Sequence, residues 1–158
     1  MTGAIETQFA VERLLARYVA AIDEGRLEEW PRFFTQRCRY HIITRENYEK
    51  GHPIGIFFAD SRGMLEDRVA SLREANIYEA QRYRHLVTST LITDEVAGIV
   101  SAQSNFQVVR ITEAGAMALF ATGRYLDRVN SNGPEPLFTE KIVVCDSRRV
   151  DTLLALPL

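Results

Sequence analysis

Metal ligation and acid–base catalysis are the two kinds of chemistry that the side chains of this sequence could serve. The histidines are His41, His52 and His85, and the cysteines are Cys38 and Cys145. Cys38 and His41 stand three apart, the spacing of half an iron–sulfur site built from two Cys and two His. The other half is missing, because Cys145 has no histidine near it. On an extended strand, positions 38 and 41 also point to opposite faces. His41, His85 and Asp60 have the composition of a two-histidine, one-carboxylate iron site, but a chain of this length offers such a trio by chance. No HExxH, paired Cys-x-x-Cys or nucleophile elbow occurs, and Gly51, Gly55 and Gly63 form no phosphate loop. No metal or cofactor is therefore expected in this chain. For acid–base work the candidates are Tyr18, Asp23, Tyr40 and His85, the residue types that line the pocket of a helix-filled, cone-shaped sheet. The plainer reading packs Tyr18 in the core, leaves Asp23 in solvent and gives His85 a local hydrogen bond.

The elements that must position these groups follow from apolar spacing. Ile5, Phe9, Leu14, Leu15, Tyr18, Val19 and Ile22 recur at three- and four-residue intervals and predict a first helix ending at Gly25. A short helix is expected around Glu28–Phe34, with Pro31 in its first turn. A strand over Cys38–Ile43 and a polar loop over Glu46–Gly51 come next. Asp60 or Ser61 then caps a third helix that carries Met64, Leu65, Val69 and Leu72 and fades near Ala75–Asn76. Four β-rich runs follow, near 83–93, 98–112, 116–129 and 137–149, with breaks at Thr93–Glu95, Glu113–Gly115 and Ser131–Pro134. In the last run Phe138, Ile142 and Val144 share a face with Glu140, for which Arg124 is a possible partner. Helices first and a long meander afterwards make an α+β chain, and residues 1–158 read as a single domain.

Composition narrows the function further. Basic and acidic side chains number 19 and 21, a net charge of −2, and they are interleaved rather than gathered into a basic stripe. That excludes the electrostatic footprint of a nucleic-acid binder. No apolar run reaches the ~20 residues of a membrane span, and Met1–Glu6 lacks the basic and apolar stretches of a signal peptide. Two cysteines make no disulfide framework, so a reducing, cytoplasmic setting is expected. The closing stretch from Asp151 to Leu158 is too apolar to stand in water, and burial in the protomer or under a partner is expected.

Several segments taken in order carry a family resemblance. They are Trp30-Pro31-Arg32-Phe33-Phe34, Asp60-Ser61-Arg62-Gly63-Met64-Leu65, Asp67-Arg68-Val69, Ala75–Glu79 and Arg82-Tyr83-Arg84-His85-Leu86-Val87. Gly123–Asp127, Cys145-Asp146-Ser147 and Asp151–Leu158 complete the series. Together they resemble the β subunits of aromatic-ring-hydroxylating dioxygenases over nearly the whole chain. One departure stands out: Thr88-Ser89-Thr90 occupies the place where such subunits often carry Ser-Asn.

The resemblance implies a cystatin-like, nuclear-transport-factor-like cone, with N-terminal helices packed in a strongly curved antiparallel sheet. It implies a non-catalytic subunit within an oxidoreductase complex, three copies assembling with three α subunits into a hexamer. In such complexes the α subunit carries a Rieske cluster and a mononuclear iron. The sequence looks closest to small subunits serving single-ring aromatic carboxylates, terephthalate first, then salicylate, anthranilate and benzoate. Arginine and aromatic residues are favoured interface anchors, which makes Trp30, Tyr48, Tyr78, Tyr83, Arg84, Leu154, Leu156 and Leu158 the candidate subunit contacts. The rival expectations are a stand-alone cone-fold isomerase or dehydratase using Tyr18, Asp23 or His85, and a small-ligand binder without catalysis.

Overall fold

A computed structural model describes residues 2–75, 80–147 and 156–158. Helix α1 (Thr2–Asp23) buries Val11, Leu14, Leu15, Tyr18, Ala21 and Ile22, a stripe at the spacing the sequence predicts. Ile5 and Phe9 continue that spacing yet are 70% and 62% exposed. The opening turns meet the sheet through polar contacts instead, the Gln8 amide donating to the Thr90 carbonyl at 2.9 Å. At the other end Gly25, with φ of 75°, closes the helix. Its N–H donates to the Ile22 carbonyl and that of Arg26 to the Ala21 carbonyl, the two bonds of a Schellman cap.

Leu27–Phe33 is a 3-10 helix, and Pro31 sits inside it rather than in its first turn. Proline's fixed φ suits such turns. Strand β1 (Phe34–Thr44) leads into α2 (Arg45–Glu49), where a polar loop was expected. Thr44 starts this helix by accepting a hydrogen bond from the Asn47 N–H. Strand β2 (Phe57–Ser61) was not anticipated. Ser61 caps α3 (Arg62–Ala75) through the Met64 N–H at 3.2 Å. Leu65, Val69 and Leu72 face inward from α3, whereas Met64 is 41% exposed.

Strands β3 (Gln81–Val96), β4 (Ile99–Thr112), β5 (Met117–Asn130) and β6 (Leu137–Cys145) complete a curved, unclosed sheet of order β2-β1-β6-β5-β4-β3. It is antiparallel except where β1 pairs with β6 in parallel. The curved antiparallel cone expected from the resemblance thus carries one parallel pair. It is sterically allowed because β1 and β6 are joined by the rest of the fold, not by a tight turn. The predicted break at Thr93–Glu95 is also displaced: β3 runs on to Val96 and turns at Ala97–Gly98, with φ of 52° and 78°. Two residues at positive φ make the turn whose twist suits a hairpin. Asn132 seals it by donating to the Ala97 carbonyl at 3.0 Å.

A register irregularity between Arg128 and Val129 decides which face of β6 looks inward. Phe138, Lys141, Val143 and Cys145 are buried against the helices. Glu140 turns outward toward Arg39 at 3.9 Å, and Arg124 lies over the Tyr48 ring instead of pairing with it. The charge on the inner face is therefore Lys141, directly opposite Asp127, with Nζ 3.1 and 3.3 Å from the two carboxylate oxygens. Both side chains are fully buried. Burial pushes Asp127 up and Lys141 down to about 8, the pair's attraction opposing both shifts.

Two predictions follow from this architecture. Ser89 holds φ of 57° at a bulge in β3, a conformation that Asn tolerates better and β-branched residues hardly at all. Ser89→Asn should raise the urea midpoint, by up to about 1 kcal/mol in stability, and Ser89→Val should lower it. For the buried pair, Lys141→Met or Asp127→Leu alone should cost roughly 3–5 kcal/mol, and the double variant should recover most of the loss. Between about pH 8 and 10.5 the folded chain holds fewer protons at Lys141 than the unfolded chain. Stability from this site should therefore rise with pH across that window, and the rise should vanish in the double variant.

Candidate functional site

The acid–base candidates form two buried pairs, and His85 also lines an open groove. Asp23 ends α1, and His85 faces it from the start of β3. One Asp23 oxygen accepts the His85 backbone N–H at 2.8 Å, and the other lies 2.6 Å from His85 Nδ1. Asp23 is thus not solvated: both side chains are almost wholly buried. The pair pins the end of the helix to the sheet across 62 residues of sequence. His85 Nε2 has no hydrogen-bond partner among the described residues.

Tyr18, from the middle of α1, and Tyr40, from β1, aim their hydroxyls at a single acceptor, the main-chain oxygen of Leu158, at 2.8 and 2.9 Å. The Leu158 N–H donates back to the Tyr40 hydroxyl at 3.2 Å, and the Trp30 indole N–H donates to that of Tyr18 at 3.1 Å. Burial raises both phenols far above their ordinary range, so they remain protonated donors. Leu158 is fully buried and Leu156 is 8% exposed. Leu156 and Leu158 thus fill the space beside the two phenols.

Metal-ligating groups are scattered. Cys38 lies in the core, whereas His41, on the opposite face of β1, packs edge-on against Phe58. His52 is exposed. Burial raises the Cys38 thiol and takes that of Cys145 to about 12, which keeps both protonated and weak as ligands or nucleophiles. Among the described residues no three His, Cys, Asp or Glu side chains gather as a metal site.

Of the candidate subunit contacts, Trp30, Tyr83, Leu156 and Leu158 are buried within the protomer. Tyr78 and Leu154 lie outside the described residues. Tyr48 and Arg84 reach the surface. They border the outer face of the sheet, where Arg82–Ile111–Met117 and Arg84–Val109–Leu119 form cross-strand rows. Met117 and Leu119 are 75% and 61% exposed there, and Leu86 is 51% exposed. Beside these rows runs a groove of about 1010 Å³ whose polar lining includes Arg45, Thr88, Asn105, Gln107, Arg124 and Asp146. Sequence reading missed Met117 and Leu119, although their apolar character beside the 113–115 turn was the available signal.

Residues 17–152 match the family described as ring hydroxylating beta subunit. The chain is 44% identical over 143 residues to subunit beta 2 of the terminal oxygenase component of terephthalate 1,2-dioxygenase from a Comamonas species, covering 90% of this chain and 93% of that one. It is 38% identical to the anthranilate 1,2-dioxygenase small subunit of Burkholderia cepacia over 100% and 98% of the two chains. A solved β subunit assigned to an aromatic-ring-hydroxylating dioxygenase of Novosphingobium aromaticivorans DSM 12444 superimposes with a TM-score of 0.91 at 34% identity, covering 98% of this chain and 99% of that one. The chain belongs to the ring-hydroxylating β-subunit family and is a component of an aromatic-ring-hydroxylating dioxygenase.

Proposed function

We propose that the chain acts as one structural domain that builds and holds the oligomer of a cytoplasmic dioxygenase, three copies joining three α subunits. In this reading the α subunit carries the Rieske cluster and the mononuclear iron, and the substrate is a single-ring aromatic carboxylate. The observation that carries it is the contrast between the two faces of the sheet. Among the described residues, Leu156–Leu158 close the inner face beside Tyr18 and Tyr40, where a gap of about 10 Å³ remains. The outer face presents exposed Leu86, Met117 and Leu119 flanked by Arg82 and Arg84, the mixture of apolar and arginine surface that suits a partner. Tyr48, stacked with Arg124, extends that surface along the groove. Support for the substrate class comes from relatives named for terephthalate and anthranilate, both of them single-ring carboxylates.

Native mass after co-expression with an α subunit tests this reading. The wild-type chain should co-purify with α in a hexamer, and alone it should run near 54 kDa, three times its 18.0 kDa. Leu86→Glu combined with Leu119→Glu should abolish co-purification while shifting the unfolding midpoint of the isolated chain little, because both side chains are exposed. An isolated monomer that ignores α and turns over an aromatic compound unaided, with loss of turnover on Asp23→Asn, would overturn the assembly reading.

A further inference from the structure

We infer that copies of this chain join head to tail: the β2 end of one outer sheet face docks on the β3 end of the next, around Leu91 and Asp94. The inference rests on the assembly reading for the number of copies. It gives the contact between β subunits a surface separate from the one that Leu86 and Leu119 offer to the α subunit.

Two neighbouring rows of side chains cross the outer face. In the first, Leu91, Gln103, Leu126, Ile142, His41 and Phe58 stand side by side on β3, β4, β5, β6, β1 and β2. Leu126 and Ile142, in its middle, are half-buried, whereas the end members Leu91 and Phe58 are 55% and 45% exposed. More apolar surface lies toward the same two ends. Val96 is exposed on β3, and Ile54 and Ile56 are exposed just ahead of β2. Apolar side chains gathered in this way mark surface that a partner covers.

The second row selects the partner. It consists of Asp94, Ser101, Arg128, Glu140 and Arg39, on β3, β4, β5, β6 and β1. Its charges alternate, so it begins acidic and ends basic. Glu95 adds to the acidic end, and Arg37 adds to the basic end against the one carboxylate of Asp60 on β2. A second copy laid head to tail brings Asp94 and Glu95 to Arg37 and Arg39, while a copy laid head to head meets its own sign.

The two sheet edges differ in the same sense. Side chains of α1 tie off β3: Gln8 donates to the Thr90 carbonyl at 2.9 Å, and Asp23 accepts the His85 N–H at 2.8 Å. Beyond β2, the other edge, no strand pairs among the described residues. An open edge with Phe58 on it and Ile54 and Ile56 before it is one that proteins cover. A contact between two different patches is heterologous, and repeating it closes a ring, as three copies of the chain would.

Light scattering behind a sizing column, on the full chain, tests the contact. The wild type should run near 54 kDa, three times its 18.0 kDa. Arg37→Glu with Arg39→Glu should lower the mass about threefold, and so should Asp94→Arg with Glu95→Arg. All four changes in one chain should restore the trimer, a recovery that simple misfolding would not produce. Ile54→Asp, at a position 76% exposed, should also dissociate the trimer with its helical circular dichroism unchanged. That variant carries the test if a charge-reversed chain fails to fold. Every variant should still co-purify with an α subunit, because Leu86 and Leu119 are intact. The inference is overturned by a trimer that persists in the folded variants, by a folded four-change chain that stays monomeric, or by loss of α together with the trimer. A wild-type chain that is monomeric alone also overturns it. Variants that stay trimeric and keep α overturn this contact while leaving the assembly reading standing.

Discussion

An ammonium group buried among aromatic rings governs what else the interior of this protein can hold. Lys141 Nζ lies 3.5 Å from the ring centre of Tyr125, 4.5 Å from that of Phe138 and 4.6 Å from that of Tyr18. Cation–π attraction lowers the cost of that position without removing it, and Asp127 across the strand pair supplies the counter-charge. The register of β5 on β6 is thereby fixed, since a one-residue slip would separate the two charges and leave one of them buried without its partner. The surrounding rings then have little freedom. Tyr125 stacks on Phe106 with centroids 4.6 Å apart and planes 8° from parallel. Tyr18 meets Phe33, Phe34, Tyr125 and Phe138 edge-on. With its ring held in this way, the Tyr18 hydroxyl reaches Leu158 and not solvent.

The parts of this arrangement written in local spacing could be read from the sequence. The inward stripe from Leu14 to Ile22, the Gly25 stop, the Ser61 cap and the four long β runs all depend on neighbours within a few residues. The face of β6 was misread because a bulge at Arg128/Val129 lies outside any single strand's alternation, so Glu140 and Lys141 exchanged places. Strand β2 escaped notice because Phe57-Phe58-Ala59-Asp60-Ser61 shows no alternation, and its pairing with β1 supplies the order. Asp23, Tyr18, Tyr40 and His85 were recognisable as polar groups capable of chemistry. That Asp23 and His85 pair while the two tyrosines grip Leu158 depends on separations of 62 to 140 residues, and no periodicity encodes such pairings.

The site's partial legibility has a physical logic. Residues that could catalyse are present, buried and mutually hydrogen-bonded, and this chain uses them as ties between helix, sheet and closing segment. In the assembly reading the work of the subunit falls on its exterior. There the informative residues are exposed apolar side chains beside arginines, such as Leu119 near Arg84. A sequence search for anchors favours large aromatic residues, and in a small cone most of those are needed inside. Trp30 and Tyr83 went to the core for that reason, and Tyr48 remained outside.

The grip of Tyr18 and Tyr40 on Leu158 also sets the order of events during synthesis. These hydrogen bonds close loops of 140 and 118 residues. Two phenols of the inner cone cannot find their acceptor until residue 158 has left the ribosome, by which time every strand has already emerged. Folding of the sheet can begin on the nascent chain, but its two inner phenols stay unpaired until residue 158 has emerged, and closure of such distant contacts is intrinsically slow. A nascent chain from which residue 158 has not yet emerged would therefore carry a formed but unsealed cone, with two hydroxyls buried and unsatisfied.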